Sequence, residues 1–339
     1  MDVNFSGHVT RRVPIEEVTQ VGQARREALA LAEQCGFDQT DGGRVALAAT
    51  ELATNVINHG GGGLMHLSLV VGRGGALGVE LCTLDRGPGF VLSECLPDGY
   101  STGGTQGLGL GAIQRQARVL ETWADGRGAI VLARVYAEQA AADVDLAYGA
   151  LRLPMRHELA CGDAWHLTGD GRRAAVTMID GLGHGVPATE AAQAGVAAVA
   201  RAGLGGATDL IARLHAGMMG SRGGAAAVAC IDMSDGRLEF AGIGNISATV
   251  HDGGGSRGLA SHPGIVGVQY RKAQAFDLHV DPGNLLIMHS DGLQARWNLR
   301  DYPGLFQRHP AVIAALLQRD FDRGRDDAGI VIVRLGALG

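Results

Sequence analysis

Two kinds of apolar pattern divide the chain. Over "EEVTQVGQARREALALAEQCG", Val21, Ala24, Ala28 and Leu31 recur at helical spacing, with Gly36 as the stop. In "DGGRVALAATELATNVINHG", Val45, Ala48, Ala49, Leu52 and Val56 share the face of a second helix that ends at Gly60. "LMHLSLVVG" and "LGVELCTLD" are near-continuous apolar runs and predict buried strands. A Gly-rich stretch, a Gly-started helix "GLGLGAIQRQARVLE" and a strand "AIVLARVYA" close this unit near residue 137.

The polar, Ala-rich segment 138–148 predicts a linker between a first domain, 1–137, and a second, 149–339. The second is strand-dominated. "RRAAVTMID", "AAAVACIDMS", "GRLEFAGIG", "ISATVHDG", "NLLIMHSDG" and "GIVIVRLG" are short apolar runs bounded by Gly or Asp. Ala-rich helical stretches follow Pro187 and span about 309–319. The halves differ in element order, so the pattern predicts a two-domain α/β (α+β) chain without internal repeats.

Composition narrows the function classes. The 339 residues are 46% hydrophobic, enough for two cores. A net charge of -6 without a Lys/Arg cluster gives no footprint for a nucleic-acid backbone, and Trp165, Trp297 and the few other aromatics are too sparse for base stacking. The five cysteines are scattered and never C-x-x-C, which suits reduced thiols. The first residues have no signal-peptide core, and "EAAQAGVAAVARAG" is interrupted by Gln193 and Arg201. The expectation is a cytoplasmic protein that engages neither membrane nor nucleic acid.

Candidate chemistry in the first unit begins on the second helix, where Glu51, Asn55 and Asn58 form a polar ridge. Asn55 could give a neutral oxygen to Mg²⁺, and Glu51 could deprotonate a hydroxyl or water. Taken alone, the stretch reads more readily as a solvated helix face capped by glycine. "LDRGPGF" then puts Asp85 at a strand end, able to accept from an exocyclic amine, with Gly87 and Gly89 permitting close approach. "DGYSTGGTQGLGLGAIQRQ" reads as a Gly-rich lid entering a helix N-terminus, a place for phosphate. It lacks the lysine of a P-loop and is not a Rossmann fingerprint.

In this order the motifs resemble the GHKL ATPases. "ELATNVINHG", "DRGPGF" and the lid look most like the RsbT branch of bacterial switch-protein serine kinases, which act on STAS-domain partners. The resemblance spans about residues 10–137 and implies a GHKL α/β sandwich that binds Mg-ATP. It further implies Glu51 as general base, Asn55 as Mg²⁺ ligand and Asp85 as the contact to adenine. Gly87 and Gly89 would shape the adenine pocket, and Gly107, Gly109 and Gly111 the phosphate lid. Ala129 stands where this family usually has threonine.

The second unit ends its strands on acids. "ACGDAWHL" presents Asp163, "VTMIDGLGHG" Asp180 and Gly181, "LLIMHSDGL" Asp291, and "GRDDAGIVIVRL" Asp326 and Asp327. Carboxylates gathered at one sheet edge repel unless a cation is present, and hard oxygens select Mg²⁺ or Mn²⁺. Any one Asp-Gly pair more often marks just a turn, but Asp180-Gly181 and Asp291-Gly292 together with the Asp326-Asp327 pair before the last strand are harder to read that way. His184, between glycines, suits either a phosphate contact or a tight turn. Cys161 lacks an Arg-bearing phosphate loop and reads as a small core residue.

"GDAW", "DGLGHGVPA", "GNIS", "SDGL" and "DDAGIVIVRL" together resemble the metal-dependent PPM serine/threonine phosphatases, and within them the compact SpoIIE/RsbX branch. This implies an αββα sandwich over about 149–339, with Asp180, the Gly181 carbonyl, Asp291 and Asp326 on a metal pair and Asp163 beside it. Joined, the two resemblances imply a partner-switching regulator of bacterial stress or sigma-factor signalling, with a kinase for a STAS-domain protein fused to a phosphatase. The alternative is a phosphatase whose N-terminal half is a non-catalytic partner-binding module. A homodimer is left open.

Overall fold

A computed structural model of the chain describes residues 3–89 and 109–336. The apolar runs pair into three large antiparallel sheets. The first sheet has the order β2-β3-β4-β6-β5, built from Arg11–Ile15, Gly63–Val71, Leu77–Asp85, Gly128–Tyr136 and Val119–Asp125 respectively. Helices α1 (Val18–Gln34), α2 (Gln39–Asn55) and α3 (Gly109–Gln116) belong to this half, and α1 and α2 pack on the sheet through the predicted apolar faces. Glu17 and Gln20 form a capping box on α1, and the Asp38 side chain caps α2 by accepting from the Asp41 N–H at 2.8 Å.

The other two sheets form a sandwich. One has the order β1-β8-β9-β10-β11-β16, built from Val3–Ser6, Asp163–Gly169, Arg173–Gly181, Gly224–Asp232, Arg237–Ile243 and Phe276–His279. The other has the order β13-β12-β17-β18-β7, built from Ser256–Leu259, Ser247–His251, Leu285–His289, Ala328–Arg334 and Tyr148–Leu153. A small ribbon pairs β14 (Gly264–Ile265) with β15 (Gln269–Tyr270). Trp165, Met178, Phe240, Met288 and Val331 are buried in one continuous core. Helices α4 (Val186–Ala202) and α5 (Ala207–Met218) pack on the first sheet of the sandwich.

Helix α6 (Pro310–Phe321) joins the two halves. Every residue from Pro310 to Gln318 is buried, which a helix can achieve only when covered all round. It lies in one cluster with Cys82, Leu84, Ile130 and Leu132 of the first domain and Leu151, Leu153, Ile330 and Ile332 of the second. The outer helical layer of the sandwich is thus also the layer covering the back of the first sheet.

Four features differ from expectation. Val3–Ser6, expected within the first domain, pairs instead with β8 in register Val3↔Gly169 to Ser6↔His166, because Val3 and Phe5 are buried and Phe5 packs 5.8 Å from Trp165. The Gly-started helix stops at Gln116, and Val119–Asp125 pairs with β6 as a strand that buries Trp123. Helix α2 changes at Val56–Gly60 into a π-helical turn that leaves Asn58 and His59 exposed, breaking the expected ridge. The linker is built in rather than loose: Val144 and Leu146 are buried and Asp145 pairs with Arg134 at 2.9 Å. Among the described residues no helix is long and apolar enough to cross a membrane.

Candidate active sites

The end of α2 meets the end of β4 at one point. A Cβ on Gly60 would stand 2.7 Å from the Asp85 Cβ, and one on Gly87 would stand 2.9 Å from the Gly60 Cα. Only glycines let helix, strand and loop close so tightly. Asp85 Oδ1 accepts from the Gly87 N–H at 2.9 Å and the Ala129 N–H at 3.0 Å. Position 129 therefore contributes its backbone here, and its buried methyl group leaves this acceptor geometry intact.

Glu51 and Asn55, both half-buried, lie one helical turn apart on α2. Burial raises the Glu51 carboxyl above its ordinary value, which makes its ionised form a better base. Gly89 takes a left-handed φ of 74°, and a side chain there would run into the Asp125 carbonyl. Gly109 opens α3, whereas Gly111 is buried within it and serves its packing. Gly107 and the stretch 90–108 lie outside the described residues.

The second site forms where strands of both sandwich sheets end. Asp163 and Asp180 face each other in register on β8 and β9. Burial, and then the charge of Asp180, push the Asp163 carboxyl well above the usual range, while Ser290 Oγ donates to its Oδ2 at 2.5 Å. Burial, together with Asp291, Asp326 and Asp327, pushes Asp180 up to about 7. Asp326 is raised by burial and by Asp291 and Asp327. The acids thus share one field.

Asp326 and Asp327 divide their work. Asp327 is buried, its Oδ1 accepting from the Met155 N–H at 2.7 Å and its Oδ2 from the Gly162 N–H at 2.6 Å. Those bonds engage both Asp327 oxygens in holding the Asp163 loop, whereas exposed Asp326 accepts from the Asp327 N–H through Oδ1 at 2.9 Å and lies in the field of Asp291 and Asp327. Gly181 must lack a side chain, since a Cβ would meet the Ala188 carbonyl at 2.2 Å. Among the described residues no three His, Cys, Asp or Glu side chains close around one point. The all-oxygen, mutually repelling set fits hydrated Mg²⁺ or Mn²⁺, which keep waters and need few protein ligands.

Sequence reasoning missed three residues here. Asn245 Nδ2 donates to Asp291 Oδ2 at 2.8 Å; its signal was the "GNIS" motif. Buried Arg152 donates through Nη2 to the Cys161 carbonyl at 2.8 Å and through Nε to the Asp163 carbonyl, fixing the acid-bearing strand. Glu158 Oε1 pairs with His184 Nδ1 at 2.6 Å. His184 sits in a tight strand-to-helix turn, with positive φ at Gly183 and Gly185, and its charge still reaches Asp326. Cys161 is buried with its thiol pushed up by that burial, as befits an inert core residue.

Comparison with known proteins bears on both halves. Residues 16–135 match the model of the histidine kinase-like ATPase domain, and residues 170–335 that of stage II sporulation protein E. The serine/threonine-protein kinase RsbT of Bacillus subtilis (strain 168) is 33% identical over 93 residues, 27% of this chain and 69% of the relative. The phosphoserine phosphatase RsbX of the same strain is 26% identical over 137 residues, 39% of this chain and 67% of the relative. A solved structure from work on the bacterial stressosome as a modular system controlling secondary messenger signalling superposes with a TM-score of 0.52 at 25% identity, covering 55% of this chain and 98% of its own.

Proposed function

We propose, from the premise that the chain belongs through its first half to the RsbT-like histidine kinase-like ATPases and through its second to the SpoIIE-type PPM phosphatases, that it both adds and removes phosphate in partner-switching stress signalling. The first half would phosphorylate a serine or threonine on a STAS-domain protein, and the second would dephosphorylate a phosphoserine or phosphothreonine protein.

The observation that carries the phosphatase reading is the set of acids at the strand ends, with Asp163, Asp180 and Asp326 all raised by burial and by neighbouring aspartates. Asp180, Asp291, Asp326 and the Gly181 carbonyl would hold divalent cations, with Asp163 beside them. Bound there, Mg²⁺ or Mn²⁺ would supply an activated water and neutralise the phosphoryl group. Asn245 orients Asp291, Ser290 orients Asp163, and Asp327 ties the loops together.

The kinase reading rests on Glu51 and Asp85. Asp85, fixed by two backbone N–H groups, offers its remaining acceptor capacity to an exocyclic amine such as that of adenine. Asn55 would hold Mg²⁺ of Mg-ATP, and Glu51 would take the proton of the attacking hydroxyl.

The test is a time course of label from γ-labelled ATP onto a co-purified STAS-domain protein, with wild type, Glu51→Ala and Asp291→Asn, in Mg²⁺ with and without Mn²⁺. Label that accumulates in Asp291→Asn and is absent in Glu51→Ala supports both activities on one substrate. No label with any variant, while wild type dephosphorylates the pre-phosphorylated partner, leaves the first half as a docking module.

A further inference from the structure

A cleft of about 640 Å³ opens directly beside the acids of the second site, lined by Asp291, Asp322 and Asp326 and by Arg296, Arg323 and Arg325. The arginines come from two segments tied together by main-chain bonds. The Gln294 N–H donates to the Phe321 carbonyl at 2.9 Å, and the Arg323 N–H donates to the Gly292 carbonyl at 2.9 Å. The same ladder therefore carries Asp291 at one end and the arginines along its edge.

All three arginines are exposed, and their guanidinium groups make no hydrogen bond or ion pair with any described residue. Exposed Arg127, Arg173 and Arg237, by contrast, each pair with a nearby carboxylate, at 2.6, 2.9 and 2.7 Å. Asp322, which also lines the cleft, accepts from Gln318 Nε2 at 2.8 Å and from the Gly324 N–H at 2.7 Å. The mouth of an acidic site thus carries three guanidinium groups without an ion-pair partner among the described residues, and the guanidinium fork matches carboxylates or phosphates.

We propose that Arg296, Arg323 and Arg325 form a recognition rim for the acidic flanks of a phosphoserine-bearing protein segment, and so set the substrate preference of the second site. The inference rests on the phosphatase reading. A phosphate monoester alone would sit over Asp180 and Asp291, whereas charges spread over two chain segments reach carboxylates on either side of it. The arginines are specificity residues: they hold flanking charge and leave the reacting bond to the acids.

The test compares three substrates on the full chain: p-nitrophenyl phosphate, a fluorescein-labelled phosphoserine peptide flanked by aspartates, and the same peptide with neutral flanks. Each Arg→Ala variant should raise KM for the acidic peptide by about 3-fold, the range of an exposed charge pair. The triple variant should raise it by about 30-fold, with kcat unchanged and little effect on the neutral peptide. Fluorescence anisotropy of the acidic peptide reads binding independently of turnover and should weaken in parallel. Unchanged KM and anisotropy in the triple variant would overturn the rim, as would a parallel fall in p-nitrophenyl phosphate turnover. If wild type binds the acidic peptide through the arginines yet hydrolyses none of the substrates, the phosphatase reading fails and the rim stands.

Discussion

Arg319 Nη1, on the helix shared by both halves, donates to the main-chain carbonyl of Asp85 at 3.0 Å. In return Arg86 Nη2 donates to the Arg319 carbonyl at 2.9 Å and pairs with Asp320 at 3.3 Å. The strand end of the first site is thereby clamped to the C-terminal turn of α6, which leads within a few residues to Asp326.

Arg319→Ala removes a charged donor from a half-buried carbonyl. The expected cost is about 1.5–3 kcal/mol of stability, with weaker binding of a fluorescent ATP analogue because Asp85 loses its outer support. Thermal unfolding and a nucleotide titration measure the two; a lowered Tm with unaltered nucleotide affinity would show that Asp85 is positioned by Gly87 and Ala129 alone.

Gly60→Ala tests the closure of the first site. Its new Cβ would stand 2.7 Å from Asp85 Cβ, so helix and strand must separate, at about 1–3 kcal/mol. Nucleotide binding should fall sharply while dephosphorylation of a phosphopeptide changes little. Equal loss of both would mean that the strain spreads through α6.

Asn245→Ala leaves Asp291 without its side-chain donor. Removing such an orienting partner costs about 10–100-fold in metal affinity or activity. Metal titration by calorimetry should show the weakening, partly restored by raised Mn²⁺ in activity assays. Wild-type affinity in Asn245→Ala would mean that strand geometry alone sets Asp291.

His309 gives the interface a pH dependence. It is buried at the start of α6, 3.1 Å from Asp145, and burial, with the Arg134 charge, lowers its pKa to about 4. The folded state then binds fewer protons than the unfolded chain between about pH 6.5 and 4. This contribution to stability is full above that window and is lost as pH falls through it. His309→Gln should flatten the dependence of urea unfolding over that range, and an unchanged slope would assign it to other groups.

Much of the geometry of both candidate sites was legible in sequence because it is local. An acid that ends an apolar strand and is followed by glycine can be read off "TLDRG", "MIDGLG" and "HSDGL", and Asp85, Asp180 and Asp291 do stand at or just beyond strand ends. Periodicity also marked α1 and α2, since their buried faces repeat at helical spacing within one segment. It failed at Val119–Asp125, where a helical reading ran on past Gln116 although pairing with β6 decides the strand.

The sequence by itself determined the two domain types, the glycine-bounded turns and which carboxylates are available, because each depends on neighbours within a few residues. Tertiary structure decided the rest: the pairing of β1 with β8 across about 160 residues, the hold of Asn245 on Asp291, the engagement of both Asp327 oxygens by backbone N–H groups, and the placing of Arg296, Arg323 and Arg325 around one cleft. It also decided that the apolar run "PAVIAALLQ" is covered on two sides by different domains. An all-round apolar helix states that it must be buried, and only packing in three dimensions states by what.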